Sequence, residues 1–448
     1  MSSALLAARK RALLGSRSVV SSVRWASSDS KDKYKIVVVG AGSGGLTVAN
    51  QIFNRFKAAG TPLNEGDIAI LDANEYHYYQ PGWTLVGAGL KQKTETRQPL
   101  KSLVPSHLAH IPENVQSFTP KTSSITTASG RTISYESLVV ATGLKTNWDN
   151  IAGLPKALAD SSSGVSSIYS YDTCDKVWHD VDALRSGKAI FTQPAGVIKC
   201  AGAPQKIMWM AWDRYQKSGR GDQISVDFYT GMPSMFSVKK YSDALNELRI
   251  QRGVGGLFGH NLVAVDADNR KATFKKGDGS TVDVDYTLLH VSPPMGPLDA
   301  IKNSPLADEA GWAYEPEYGN VWAIGDCSSL PTSKTAAAIT AQAPILTENL
   351  FSVVSTGKDL GVAYDGYTSC PLLTGYGQLM LAEFKYGLEP KESFAEYLGD
   401  QKTPSRIYYH LKKDLFPWAY WNHMIQGRWF GSHGFFRPKF PATTNTPQ

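Results

Sequence analysis

The sequence predicts an α/β protein with two Rossmann-like dinucleotide-binding domains followed by a C-terminal membrane-associating segment. Three observations predict it. A β-branched run, Lys35-Ile36-Val37-Val38-Val39, feeds directly into Gly40-Ala41-Gly42-Ser43-Gly44-Gly45. A β-ribbon returning to a buried strand occurs twice, across residues 130–143 and again across 279–293. Residues 408–440 carry eleven aromatic side chains with Lys and Arg between them.

The first unit is read from its local order. The β-branched run suits a buried parallel strand, and Leu46 through Ala58 reads as a helix with Leu46, Ala49, Ile52, Phe53 and Phe56 on one face. Gly40 permits the tight turn, Gly42 lets backbone approach a pyrophosphate at the helix N-terminus, and Gly45 lets helix and strand pack closely. Ile68-Ala69-Ile70-Leu71 is a second strand ending at Asp72, an acid that can hold ribose hydroxyls or merely cap the strand. Leu138-Val139-Val140 runs into Ala141-Thr142-Gly143, and Val321 to Ile324 runs into Gly325-Asp326. This order resembles two-dinucleotide-domain flavoproteins, in which such an aspartate binds the ribityl chain of FAD. The helix opened by Lys334-Thr335-Ala336-Ala337-Ala338 would favour negative charge on a reduced flavin.

The second unit should begin at Lys188-Ala189-Ile190-Phe191-Thr192. Where a nicotinamide site needs a glycine fingerprint, this chain has Gln193-Pro194-Ala195-Gly196-Val197, so no NAD site is expected. Cys200 follows instead, then a helix from Pro204 to about Lys217. Lys199 and the helix start would both favour a thiolate at Cys200. Cys370 lies far away in Thr368-Ser369-Cys370-Pro371. A thiol pair stores two electrons and a flavin moves two, so Cys200 and Cys370 are the candidate catalytic pair; the bland alternative is two inert buried thiols. Cys174, flanked by Asp172 and Asp175, and Cys327, beside Asp326, read as structural. No cluster of Cys and His has metal-ligand spacing, and no metal is expected.

Composition bounds the rest. An apolar share of 42% and a charged share of 19% describe a globular chain long enough for several domains. Residues 1–28 carry five basic and no acidic side chains and read as a mitochondrial transit peptide, or else as a solvated basic tail. Setting those five aside leaves 41 Lys and Arg against 40 acidic residues, which argues against nucleic acid as a partner. No apolar run is long enough for a transmembrane helix. The expected division is 1–28 transit peptide, 34–150 and 301–365 FAD-binding domain, 151–300 second dinucleotide-type domain, and 366–448 C-terminal domain.

Across residues 34 to 436 the chain resembles the mitochondrial sulfide:quinone oxidoreductases. The resemblance rests on residues 78–87 (Tyr78-Tyr79-Gln80-Pro81-Gly82-Trp83-Thr84-Leu85-Val86-Gly87), on residues 197–206 around Cys200, on Gly325-Asp326-Cys327 with residues 330–338, and on residues 365–372 around Cys370. It implies a disulfide-reductase-like flavoprotein fold. Cys200 and Cys370 would rest oxidised together, with or without a bridging sulfur. Sulfide would attack at Cys370 and leave a persulfide there. Cys200 would pass two electrons to FAD, and ubiquinone would receive them. Glutathione, sulfite or a second sulfide would take the sulfane sulfur. The FAD contacts implied are Ser43, Gly44, Asp72, Gln80, Val115, Asp326, Lys334, Ala336 and Ala337. Gly40, Gly42, Gly45, Thr142 and Gly143 join them from the loops read above. A matrix-facing, monotopic place on the mitochondrial inner membrane is implied as well.

The C-terminal segment fits a headgroup layer, with Lys412, Lys413, Arg428, Arg437 and Lys439 toward anionic lipid, or alternatively a helix pair packed on the core. Phe384, Lys385 and Tyr386 are candidates for the wall of a quinone slot. Two other functions stay open at this point: an NADH:quinone oxidoreductase of the same fold, and a flavin-bearing mitochondrial protein without enzymatic activity.

Overall fold

The computed structural model describes residues 32–314 and 317–440. The proposed transit peptide lies outside them. The strand Lys33–Val39 runs parallel to Ile68–Leu71 on one side and Thr132–Val140 on the other. Leu108–Ile111 extends the sheet beyond Ile68–Leu71, while Ser124–Thr127 and Val115–Thr119 form an antiparallel ribbon at the opposite edge. The late strand Val321–Ala323 also pairs with Thr132–Val140, so a segment far downstream completes the first sheet. It stops just short of Ile324, because Gly325, with a φ of 75°, bends the chain into the 3-10 turn Gly325–Cys327.

Three helices position the site. The first, α1 (Ser43–Ala58), starts at Ser43 rather than Leu46, because the end of the glycine loop is already helical. The second, α2 (Ala203–Lys217), has Pro204 at its second rather than its first position. The third, α3 (Ala336–Thr356), is capped by Thr335, whose side chain accepts from Ala338 N at 3.0 Å. Leu46, Ile52 and Leu350 from α1 and α3 pack with Ile36, Val38 and Ile70 of the sheet, all fully buried. Each such side chain contributes about 1.5–3 kcal/mol through burial.

The second sheet is parallel throughout, in the order Val165–Ser166, Leu288–His290, Gly187–Gln193, Ile224–Thr230, Gly255–Phe258. The ribbon expected before Leu288 belongs to a separate antiparallel sheet of His260–Asp266, Lys271–Lys276 and Thr281–Asp285. An antiparallel hairpin, Thr368–Gly375 with Gln378–Phe384, packs on α2 through Leu372, Leu373 and Leu379. The two units are stitched where they meet: Cys200 N donates to Lys334 O at 2.8 Å, and Lys199 bridges Lys334 in parallel.

The C-terminal segment is packed on the body along part of its surface. Tyr408, Tyr409 and Tyr420 are buried there, whereas Trp418, Phe435 and Phe436 are exposed. Among the described residues, no helix is long and apolar enough to cross a membrane.

Candidate active site

A cavity of about 640 Å³ runs from the glycine loop to the hairpin and the C-terminal segment. Gly40 has a φ of 98°, and a Cβ there would lie 2.5 Å from Ala141 O. Gly45 does not line the cavity; a Cβ on it would collide with Gly40 O, so its role is the close approach of helix to strand. Gly42 has open space where a Cβ would stand. Asp72 accepts from Ala41 N at 2.8 Å and from Asn74 N at 2.9 Å, which ties the second strand to the loop. Ser43, Gly44, Gln80, Thr142, Gly143, Asp326, Lys334, Ala336 and Ala337 all line the same space.

FAD can be tested against these walls. Thr142 Oγ1 is buried without a hydrogen-bond partner, the kind of atom a ligand satisfies. The first residues of α1 and α3 both line the cavity, so two helix N-termini offer positive potential to phosphate and to a ring carrying negative charge. Burial raises the Asp326 carboxyl, opposed by the charges of Lys199 and Lys334. The residues fit the group. Val115 does not join them: it starts an edge strand, pairs with Thr127 and packs on the far face of the sheet.

The structure brings Cys200 and Cys370 together. Both are free thiols, close enough that each shifts the ionisation of the other. Cys200 has a φ of 52°, a left-handed conformation costing about 1 kcal/mol for a residue with a Cβ. That elbow turns the chain into α2, with Ala203 N donating to Cys200 O at 2.7 Å. Gly202 completes the approach, since a Cβ there would meet Leu372 and lie 3.7 Å from Cys370 Sγ.

The charges around the pair differ from expectation. Lys206, fully buried on α2, places Nζ 3.1 Å from Cys200 Sγ. The hydrogen bond with Cys370 holds the Cys200 thiol well below the ordinary range; burial opposes this, and the charges of Lys206 and Lys412 add to it. The interaction with Cys200 and burial push Cys370 up, and Lys206 Nζ beside Cys200 Sγ favours negative charge on Cys200 over Cys370. Lys199, the expected partner, instead lies over the Trp83 ring at 5.4 Å and interacts with Asp326; burial lowers it to about 8. Lys412, expected to face lipid, is 3% exposed, lines the cavity and is lowered by burial to about 7.

Phe384, Lys385 and Tyr386 do not line the cavity. Phe384 is buried edge-on against Phe236, Lys385 pairs with Glu389 at 2.9 Å, and Tyr386 packs on Tyr364. The pleat accounts for Phe384, since Leu381 and Glu383 are the alternate residues that face the cavity, whereas Lys385 and Tyr386 lie beyond the end of the strand, where the chain turns. Cys174 is buried and pushed up to about 12 by burial, and Cys327 is raised by burial too, which leaves both as unreactive thiols. Among the described residues no group of His, Cys, Asp and Glu could hold a metal ion.

Two joined dinucleotide units with a thiol pair at their junction define a flavoprotein of the disulfide-reductase class, and residues 34–191 match the family model "Pyridine nucleotide-disulphide oxidoreductase". The chain is 49% identical to the mitochondrial sulfide:quinone oxidoreductase of Schizosaccharomyces pombe, covering 91% of this chain and 94% of that protein. It is 39% identical to the Mus musculus protein of that name, covering 93% and 91%. The chain belongs to the sulfide:quinone oxidoreductase family, in its mitochondrial form. The solved structure of the Aquifex aeolicus sulfide:quinone oxidoreductase shares the fold, with a TM-score of 0.70 at 17% identity over 87% of this chain and 92% of that one.

Proposed function

We propose that this chain oxidises hydrogen sulfide, passing two electrons through FAD to ubiquinone at the mitochondrial inner membrane. The observation that carries the reading is the contact of Cys200 with Cys370 beside the buried Lys206 ammonium, at the edge of a cavity that fits FAD. Family membership supports the substrate and the acceptor.

The reaction starts from the Cys200–Cys370 disulfide. Hydrosulfide attacks the Cys370 sulfur, the bond between the cysteines breaks, and Cys200 leaves as a thiolate. Cys370 then carries the sulfane sulfur as a persulfide. Lys206 stabilises the leaving thiolate, and the depressed Cys200 thiol makes it the better leaving group of the two. A small nucleophile such as glutathione or sulfite takes the outer sulfur and frees the Cys370 thiolate. Closing the two thiolates back to a disulfide releases two electrons. When bound, FAD supplies the acceptor for those electrons and the route to quinone. Exposed Trp418, Phe435 and Phe436 support contact of the C-terminal segment with lipid.

The test is anaerobic. Sulfide, then NADH, is added to purified protein with a short-chain quinone while the flavin band at about 450 nm is followed. Bleaching by sulfide that is lost in Cys200→Ser and Cys370→Ser supports the reading. Bleaching by NADH alone overturns it in favour of an NADH:quinone oxidoreductase, and no turnover with either donor overturns the enzymatic reading.

A further inference from the structure

The glycine loop and the C-terminal segment meet in a chain of hydrogen bonds. His77 Nδ1 lies 2.8 Å from Ala41 O, and His77 Nε2 lies 2.6 Å from the Tyr420 hydroxyl. The Tyr420 hydroxyl in turn lies 2.7 Å from Ser43 Oγ. A carbonyl only accepts, so Nδ1 carries the proton. Burial lowers the His77 pKa and keeps the ring neutral, which leaves Nε2 as an acceptor. Tyr420 therefore donates to His77, and Ser43 donates to Tyr420. Every link has one direction, and Tyr420 is the member that the C-terminal segment contributes.

Further contacts fasten the same stretch. Asn50 Nδ2 on α1 donates to Ile425 O at 2.8 Å. Gly427, with a φ of 71°, passes so near α1 that a Cβ would lie 2.6 Å from Gln51 N. Tyr420 also lines the cavity, beside the loop that a dinucleotide phosphate would meet. On its outer side the segment exposes Trp418, Phe435 and Phe436 with Arg428 and Lys439, a pairing of aromatic and basic groups that suits an anionic lipid surface.

We propose that Tyr420 is a positioning residue that couples the dinucleotide loop to the lipid-facing segment, so that FAD binding and docking on an anionic bilayer strengthen one another. This rests on the reading that the cavity holds FAD and that the segment meets lipid. Linkage makes the coupling reciprocal: the factor by which FAD tightens vesicle binding equals the factor by which vesicles tighten FAD.

The experiment measures the FAD dissociation constant of the full chain with and without phosphatidylcholine–phosphatidylglycerol vesicles, and the vesicle affinity of holo- and FAD-stripped protein. Wild type is expected to show the same factor both ways, about fivefold or more. Tyr420→Phe keeps the ring and its packing, and should bring both factors to near unity while the melting temperature of the holoprotein changes little. Factors of one in wild type, or factors unchanged in Tyr420→Phe, overturn the coupling and leave the FAD and lipid readings standing. Wild type that takes up no FAD, or ignores vesicles, overturns those readings and the coupling with them.

Discussion

The two dinucleotide units present the same architectural position and use it for different chemistry. In the first, the strand Lys33–Val39 ends in a glycine loop that leads into α1. In the second, Gly187–Gln193 ends in residues 194–202, which carry Pro194 and Cys200 before α2. A doubly wound sheet binds ligands beyond the carboxyl ends of its strands. One unit shapes that place for phosphate, and the other fills it with sulfur. The scaffold thus supplies a location and a helix N-terminus, while the few residues between strand and helix decide the chemistry.

The sharpest break comes from the sulfur side. Cys200→Ser or Cys370→Ser should lower sulfide-driven kcat at least about a thousandfold, read by quinone reduction, with flavin content retained. On the phosphate side, Gly40→Ala forces a φ of 98° on an alanine and drives its Cβ against Ala141 O. It should cost about 2 kcal/mol or more in chemical denaturation and lower flavin content.

Lys206→Met should raise the Cys200 thiol pKa, because the ammonium 3.1 Å away favours the charged form. The pH midpoint of Cys200 alkylation by iodoacetamide should move up by about 1–2 units. Pro194→Gly should confer no NADH oxidation, since one glycine does not rebuild a phosphate loop. Appearance of that activity would show the second unit to be nearer a nicotinamide site than its loop suggests. The smallest effect is expected for Cys174→Ala, with activity within about twofold of wild type because the buried thiol is not ionised.

Legibility from sequence falls with distance along the chain. The glycine loop, Asp72 and the strand before them are consecutive or joined by one helix, so their spacing exposes their geometry. Lys206 escapes such reading because the Cys200 elbow folds α2 back toward the sulfur, and no spacing rule marks a lysine in the second turn of that helix. The composition of its neighbours assigns Lys412 to the surface, yet it turns inward while Lys413 remains partly exposed. Phe384 lies off the cavity because alternation along a strand fixes which residues face together, while its phase is set by the partner strand Thr368–Gly375; Lys385 and Tyr386 follow the strand's end, which the sequence does not mark. Val115 also lies off the cavity wall: its position depends on an edge ribbon whose outward side the sequence does not mark.

The backbone bond from Cys200 N to Lys334 O has a consequence for how the molecule can move. It pins Cys200 of one unit to Lys334 of the other, on the wall of the cavity that fits FAD, within the play of a single hydrogen bond. A hinge that parted the two units would have to break that stitch first, along with the parallel bridge beside it. Traffic of small molecules therefore has its low-cost route past side chains at the cavity mouth, and the two halves can stay in register throughout a turnover.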